Sequence, residues 1–131
     1  MKLSVVFLKH KMLGEHEHAL NKYVEALHIY EDVQGKKSAS YASTLCNLGS
    51  LYRLKAAEST GMMKHQNLLR AEEALTDALE LRKEILGAQH RETITTQLLL
   101  AGLLRNQGKP EESLTMLQDI LEVVKEVFSK E

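Results

Sequence analysis

Three groups of residues carry side chains that could do chemistry, and spacing decides what each can do. Glu15-His16-Glu17-His18 sets two imidazoles among two carboxylates, a combination that suggests a divalent metal. Ligands must converge on one point, however. On a helix, positions two apart point to different sides, so His16 and His18 cannot share an ion as i and i+4 residues would. Only His10 with His16 leaves a conceivable pair. The expected reading is solvated turn residues and no metal. His90, just before Arg91 and Glu92, is expected to cap or pack at a helix start rather than act as a base. Cys46 is the only cysteine, so no internal disulfide can form. It falls inside a helical stretch, where a buried small apolar residue is expected rather than a reactive thiol. The sequence has no phosphate-cradling Gly-rich loop, no nucleophile elbow and no zinc spacing of Cys and His. No catalytic residue and no cofactor are expected, and the chain is not read as an enzyme.

Composition narrows the classes further. The 131 residues suffice for one domain with a sizeable core. Lys plus Arg is 17 and Asp plus Glu is 18, a formal net charge of -1. That balance argues against nucleic acid, whose phosphates call for a strong basic excess. No segment approaches the roughly 18 apolar residues of a membrane span. The run from Leu3 to Leu8 is too short for a signal-peptide core and is followed by Lys9-His10-Lys11. A reducing, cytoplasmic setting is therefore expected. The alternative is mitochondrial, because the first dozen residues also fit a weak basic amphipathic presequence.

The elements that would hold these residues all have helical period. Leu, Ala, Glu and Lys dominate, Pro occurs once, and no alternating β-branched run suggests a strand. A short helix is expected over 2–13, a turn at Gly14-Glu15, and a second helix over 15–33 with Leu20, Tyr23, Leu27 and Tyr30 as its stripe. Ser38 or Ser40 is expected to cap a helix from Tyr41 to Lys55, in which Gly49 allows close approach of a neighbour. Residues 56–67, AAESTGMMKHQN, lose the pattern and read as an inserted loop, with Met62-Met63 packed back on its own helix. A helix over 68–86 follows, then the hairpin 91–128, whose halves flank Gln107-Gly108-Lys109 and whose second half opens on Pro110. The sum is an all-α chain of six helices in three antiparallel pairs, 2–33, 41–86 and 91–128, within a single domain over 1–131.

These pairs repeat. Ala71, Leu75, Ala78, Leu79 and Leu81 recur 42 residues later as Ser113, Leu117, Ile120, Leu121 and Val123. An earlier copy, Ala19, Tyr23, Ala26, Leu27 and Ile29, lies 52 residues before the middle one, and the extra ten residues match the 56–67 insertion. Asn47 to Arg53 recurs as Leu99 to Arg105 at the same 52-residue offset.

Leu48-Gly49-x-x-Tyr52, Leu100-Ala101-x-x-Leu104 and the Gly108-Lys109-Pro110-Glu111-Glu112-Ser113 turn resemble tetratricopeptide repeats. The stretch Ala78 to His90 resembles the 42-residue subtype found in kinesin light chains. The resemblance covers about residues 14–128. It implies a right-handed superhelical array, an α-solenoid whose first helices line a concave groove. It also implies a non-enzymatic adaptor that binds a protein segment there. The groove residues implied are Asn47, Ser50, Arg53, Leu54, Leu98, Leu99, Gly102, Arg105 and Asn106, with Ser43, Cys46 and Thr95 beside them.

Asn47 has an amide fit to bind a peptide backbone, or equally to bond within the array. Arg53 and Arg105 occupy equivalent positions and could meet an acidic partner or stay solvated. Leu98, Leu99 and Gly102 make the later groove apolar, which suits an amphipathic helix better than an acidic chaperone tail. The alternative is an architectural subunit or assembly factor of a larger complex, mitochondrial in one version, working through its ends and convex face. The last helix shows Leu117, Leu121, Val124, Val127 and Phe128, and its outer flank makes self-association an option.

Overall fold

The structure is a computed structural model describing residues 2–130, with side chains described from Gly14 onward. It contains five helices among those residues and no strand: α1 (Lys2–Gln34), α2 (Ala39–Ala57), α3 (Gly61–Leu86), α4 (Arg91–Asn106) and α5 (Pro110–Ser129). Each helix packs on the next in chain order, and α2 also touches α4. That is the contact pattern of a helical solenoid, in which first helices of successive pairs meet along one side.

Local chemistry sets the helix ends. Ser38 caps α2 by accepting a hydrogen bond from the backbone N–H of Tyr41 at 3.1 Å. His90 caps α4 through Nδ1, which accepts from the N–H of Glu92 at 3.1 Å. At the α4–α5 turn, Gly108 takes φ 78, and the Lys109 N–H returns to the carbonyl of Leu104 at 2.9 Å. A side chain would resist that left-handed conformation. Pro110 then starts α5, with Glu111 and Glu112 placed favourably at the positive end of the helix dipole.

Two boundaries differ from the sequence expectation. The expected Gly14-Glu15 turn is absent, and the pair over 2–33 is one helix of 33 residues. Gly14 does not adopt positive φ, and strong helix formers stand on both sides of it. A lone Gly costs a helix only about 1 kcal/mol relative to Ala, too little to break it without a cap or Pro nearby. The helix count is accordingly five rather than six. The expected 56–67 loop is also helical, save for residues 58–60. The ten extra residues lengthen α2 and α3 at their shared end. Buried Asn67 ties the turn by donating to Ser59 Oγ at 3.3 Å. Met62 and Met63 do not pack back; they are 77% and 63% exposed.

The core runs through the middle of the array. Leu45, Cys46, Ala56, Leu68, Ala71, Leu75, Ala78, Leu79, Leu100 and Leu103 form one cluster, with Leu27 of α1 and Met116 of α5 packed against it. Small residues allow the close approach. A Cβ added to Gly49 would lie 2.7 Å from Leu75 Cγ, so α3 seats directly on α2 at that point.

Candidate functional site

Helices α2, α3 and α4 form a cleft of about 700 Å³ lined by Ser50, Arg53, Leu54, Ala56, Ala57, Lys64, Leu68, Leu99 and Asn106. Five of the nine expected groove residues therefore meet in one place: Ser50, Arg53, Leu54, Leu99 and Asn106. Their convergence follows from the 52-residue offset, which puts equivalent faces of α2 and α4 side by side. The other four are distributed around it. Gly102 lies under the Arg53 guanidinium, whose Nη2 would stand 3.4 Å from an added Cβ. Asn47, Leu98 and Arg105 are exposed outside the cleft lining.

Lys64 and Leu68 were not expected there. Both lie in the first turns of α3, Lys64 within the expected 56–67 loop and Leu68 at the start of the expected helix over 68–86. Because that segment is helical, it forms a second wall facing α2. No acidic residue lines the cleft, and neither Arg53 nor Lys64 forms an ion pair among the described residues. The floor is apolar, with Leu54, Leu68 and Leu99 as its large side chains. The arrangement offers shape, apolar area and two cations. These features suit the binding of a segment with an apolar face.

Cys46 and Ser43 face inward instead of lining the groove. Cys46 is buried, and Arg82 of α3 reaches it. The Arg82 side chain, only 9% exposed, donates to Thr96 Oγ1 at 2.8 Å, Ser43 Oγ at 3.2 Å, the Glu92 carbonyl at 3.4 Å and Cys46 Sγ at 3.5 Å. One guanidinium thus ties α2, α3 and α4 with no carboxylate partner. Its rigid fork supplies several donors in one plane, which neutral acceptors satisfy here. Sequence reasoning passed over it, yet the signal exists: Leu75, Leu79, Arg82 and Leu86 complete one stripe at steps of four, three and four.

The histidine cluster is resolved differently. His16 sits within α1, half-buried, with Nδ1 3.3 Å from Glu58 Oε2 at the end of α2. Both atoms are buried, and neither forms a hydrogen bond. His16 is thus a contact between α1 and α2, while His18 is exposed. The side chains of His10 and Phe7 lie outside the described residues. Among the described residues, no three His, Cys, Asp or Glu side chains are grouped to hold a metal ion, and no helix is long and apolar enough to cross a membrane.

Comparison with known proteins places these elements. No curated protein matches the chain. A family model described as tetratricopeptide repeat matches residues 63–126, which spans most of α3, all of α4 and most of α5. Together with helices that pack in order as a solenoid, this match supports a tetratricopeptide repeat family, whose members are generally non-catalytic protein-interaction modules.

Proposed function

We propose that this chain is a non-enzymatic adaptor that holds a segment of a partner protein in the groove of α2 and α4, with an amphipathic helix as the segment. The observation that carries this reading is the cleft itself. It has an apolar floor of Leu54, Leu68 and Leu99 between two walls, with Arg53 and Lys64 at its rim. A helix laid in such a groove buries apolar side chains at i, i+3, i+4 and i+7 and keeps its polar face in water. Asn47, Leu98 and Arg105 extend the same side and would meet the ends of the segment. The 42-residue offset and the Ala78–His90 stretch support the kinesin-light-chain-like subtype, with residues 1–131 acting as one array in the cytoplasm.

Capture from native lysate tests it. Wild-type protein should retain a partner that a variant carrying Asn47→Ala, Arg53→Glu and Leu99→Glu loses while its helical circular dichroism stays unchanged. Equal capture by both proteins would remove the groove from the account.

A second reading gives the chain an architectural role through its ends, in the cytoplasm or in a mitochondrial complex. One observation favours it: the outer flank of α5 is apolar and exposed, and self-association through that helix is its simplest form.

A further inference from the structure

α5 carries two apolar seams, offset by one residue. Ser113, Met116, Ile120, Val123 and Val127 form one, at steps of three and four. Among these, Ser113 and Ile120 are buried, and Ser113 Oγ donates to the Ala101 carbonyl of α4 at 2.8 Å. Leu114, Leu117, Leu121, Val124 and Phe128 form the other, with the same steps. On this second seam, Leu114, Leu117, Leu121 and Phe128 are 56%, 43%, 52% and 65% exposed. A stripe confined to strict three–four spacing is the seam of a coiled coil, and it matches a second helix lying nearly parallel or antiparallel.

The repeat shows what such a seam meets. Forty-two residues earlier the same positions are Glu72, Leu75, Leu79, Arg82 and Leu86 of α3. There the seam is covered. Leu75, Leu79 and Arg82 are buried, and α4 anchors on both polar positions. Arg82 donates to the Glu92 carbonyl and to Thr96 Oγ1 at one end of α4, while Gln107 donates to Glu72 Oε2 at 2.9 Å at the other. On α5 both anchors have become apolar: Glu72 corresponds to Leu114 and Arg82 to Val124. A helix with the polar groups of α4 would leave them unpaired on this surface, which costs free energy. The surface instead matches one that is apolar along its whole length, and α5 is such a helix.

We infer that the outer seam of α5 is a dimer interface, closed by the same seam of a second copy across a two-fold axis at Leu121. This deepens the second reading above and does not involve the groove. Antiparallel pairing centred on Leu121 sets Leu114 against the partner's Phe128, and Phe128 against the partner's Leu114. The flanking Lys125 then lies near the partner's Gln118, so no like charges oppose. A two-fold contact needs such a self-complementary patch. The seam extends about 21 Å along the helix, from Leu114 to Phe128, at 1.5 Å per residue. Beside it, Gln89, Arg91, Ile94 and Thr95 of the α3–α4 turn and α4 form a hollow of about 260 Å³ with Val124, Val127 and Phe128, in which the partner's Leu114 end would seat.

Sedimentation velocity of the full chain, from low to high micromolar concentration, tests this. Wild-type protein should run as a dimer at the upper end. Leu121→Glu should stay monomeric throughout with unchanged helical circular dichroism, since Leu121 is exposed in the free chain. Leu121→Cys, which sits on the axis, should form a disulfide-linked dimer under mild oxidation, whereas Glu122→Cys should do so far less. The groove variant Arg53→Glu should dimerise like wild type, which separates failure of this proposal from failure of the groove reading. A wild-type chain that remains monomeric at every concentration would overturn the proposal. So would a Leu121→Glu dimer, which would place the contact elsewhere.

Discussion

Leu75 of α3 closes over Gly49 of α2 so tightly that a methyl group added to the glycine would stand 2.7 Å from Leu75 Cγ and 3.3 Å from the Ala71 carbonyl oxygen. Cγ is a branch point rather than a mobile tip, so the helices would have to separate. Gly49→Ala is expected to destabilise the fold by about 1–3 kcal/mol despite its better helix propensity. Gly102 of α4, next to Ala101 at the position equivalent to Gly49, meets only the Arg53 guanidinium, at 3.4 Å. Gly102→Ala should be neutral or stabilising by up to about 1 kcal/mol. Urea unfolding of both variants checks the contrast. Equal losses would mean that Gly49 is not the tighter crossing.

Arg82 leads to a different ordering. It is buried without a carboxylate and held by neutral acceptors on α2 and α4. Removing it leaves a cavity and frees the acceptors, so Arg82→Ala should cost about 3 kcal/mol. Met fills most of the volume and removes the charge, and buried charges are often replaced by apolar groups at little loss. Arg82→Met should therefore cost less than Arg82→Ala. Lys keeps the charge but lacks the fork that reaches Ser43 and Thr96 together. The expected order of stability is wild type, Met, Lys, Ala, read from thermal or urea midpoints. A Lys variant more stable than Met would show that charge, not geometry, is what this position requires.

The cap on α2 is a smaller, cleaner case. Sequence pattern left Ser38 and Ser40 as equal choices. In the structure only Ser38 accepts from a free N–H, that of Tyr41. Ser38→Ala should cost about 1 kcal/mol. Ser40→Ala should cost a few tenths at most, because that residue contributes its backbone carbonyl, which accepts from Thr44, and the backbone is unchanged. Stability curves for the two single variants decide between them.

How much of this was legible in the sequence depends on what each residue responds to. The stripes of α4 and α5, the Gly108-Lys109-Pro110 turn and the capping His90 depend on neighbours within a few residues, and local pattern reads such features well. The cleft was legible in part. Ser50, Arg53, Leu54, Leu99 and Asn106 follow from one repeat offset between two helices. Lys64 does not, because it reaches the cleft only if residues 61–67 are helical. That stretch has no apolar period of its own: it overhangs the core, and all of its first six residues are exposed glycine, methionine or polar side chains. Arg82 was hidden for the opposite reason. Its position was in the stripe, but its residue type suggested solvent, and only the oxygens brought by α2 and α4 make its burial tolerable.

The two misread boundaries rest on two glycines that should respond oppositely to the same change. Gly14 lies within α1 with ordinary helical backbone, and nothing stands within 4 Å of a Cβ built on it. Gly14→Ala should therefore stabilise the protein by about 1 kcal/mol, by helix propensity and by lowering the entropy of the unfolded chain. Had Gly14-Glu15 been a turn, the same change would be neutral or harmful. Gly61 also has open space around it, but its φ is 60 at the first residue of α3. There a side chain meets its own backbone, at a cost of about 1–2 kcal/mol, so Gly61→Ala should destabilise. Because neither glycine touches a neighbour, the signs report backbone conformation alone. Opposite shifts in midpoint would establish one unbroken α1 and a sharp reversal at residues 58–60, the feature that brings Lys64 and Leu68 to the cleft.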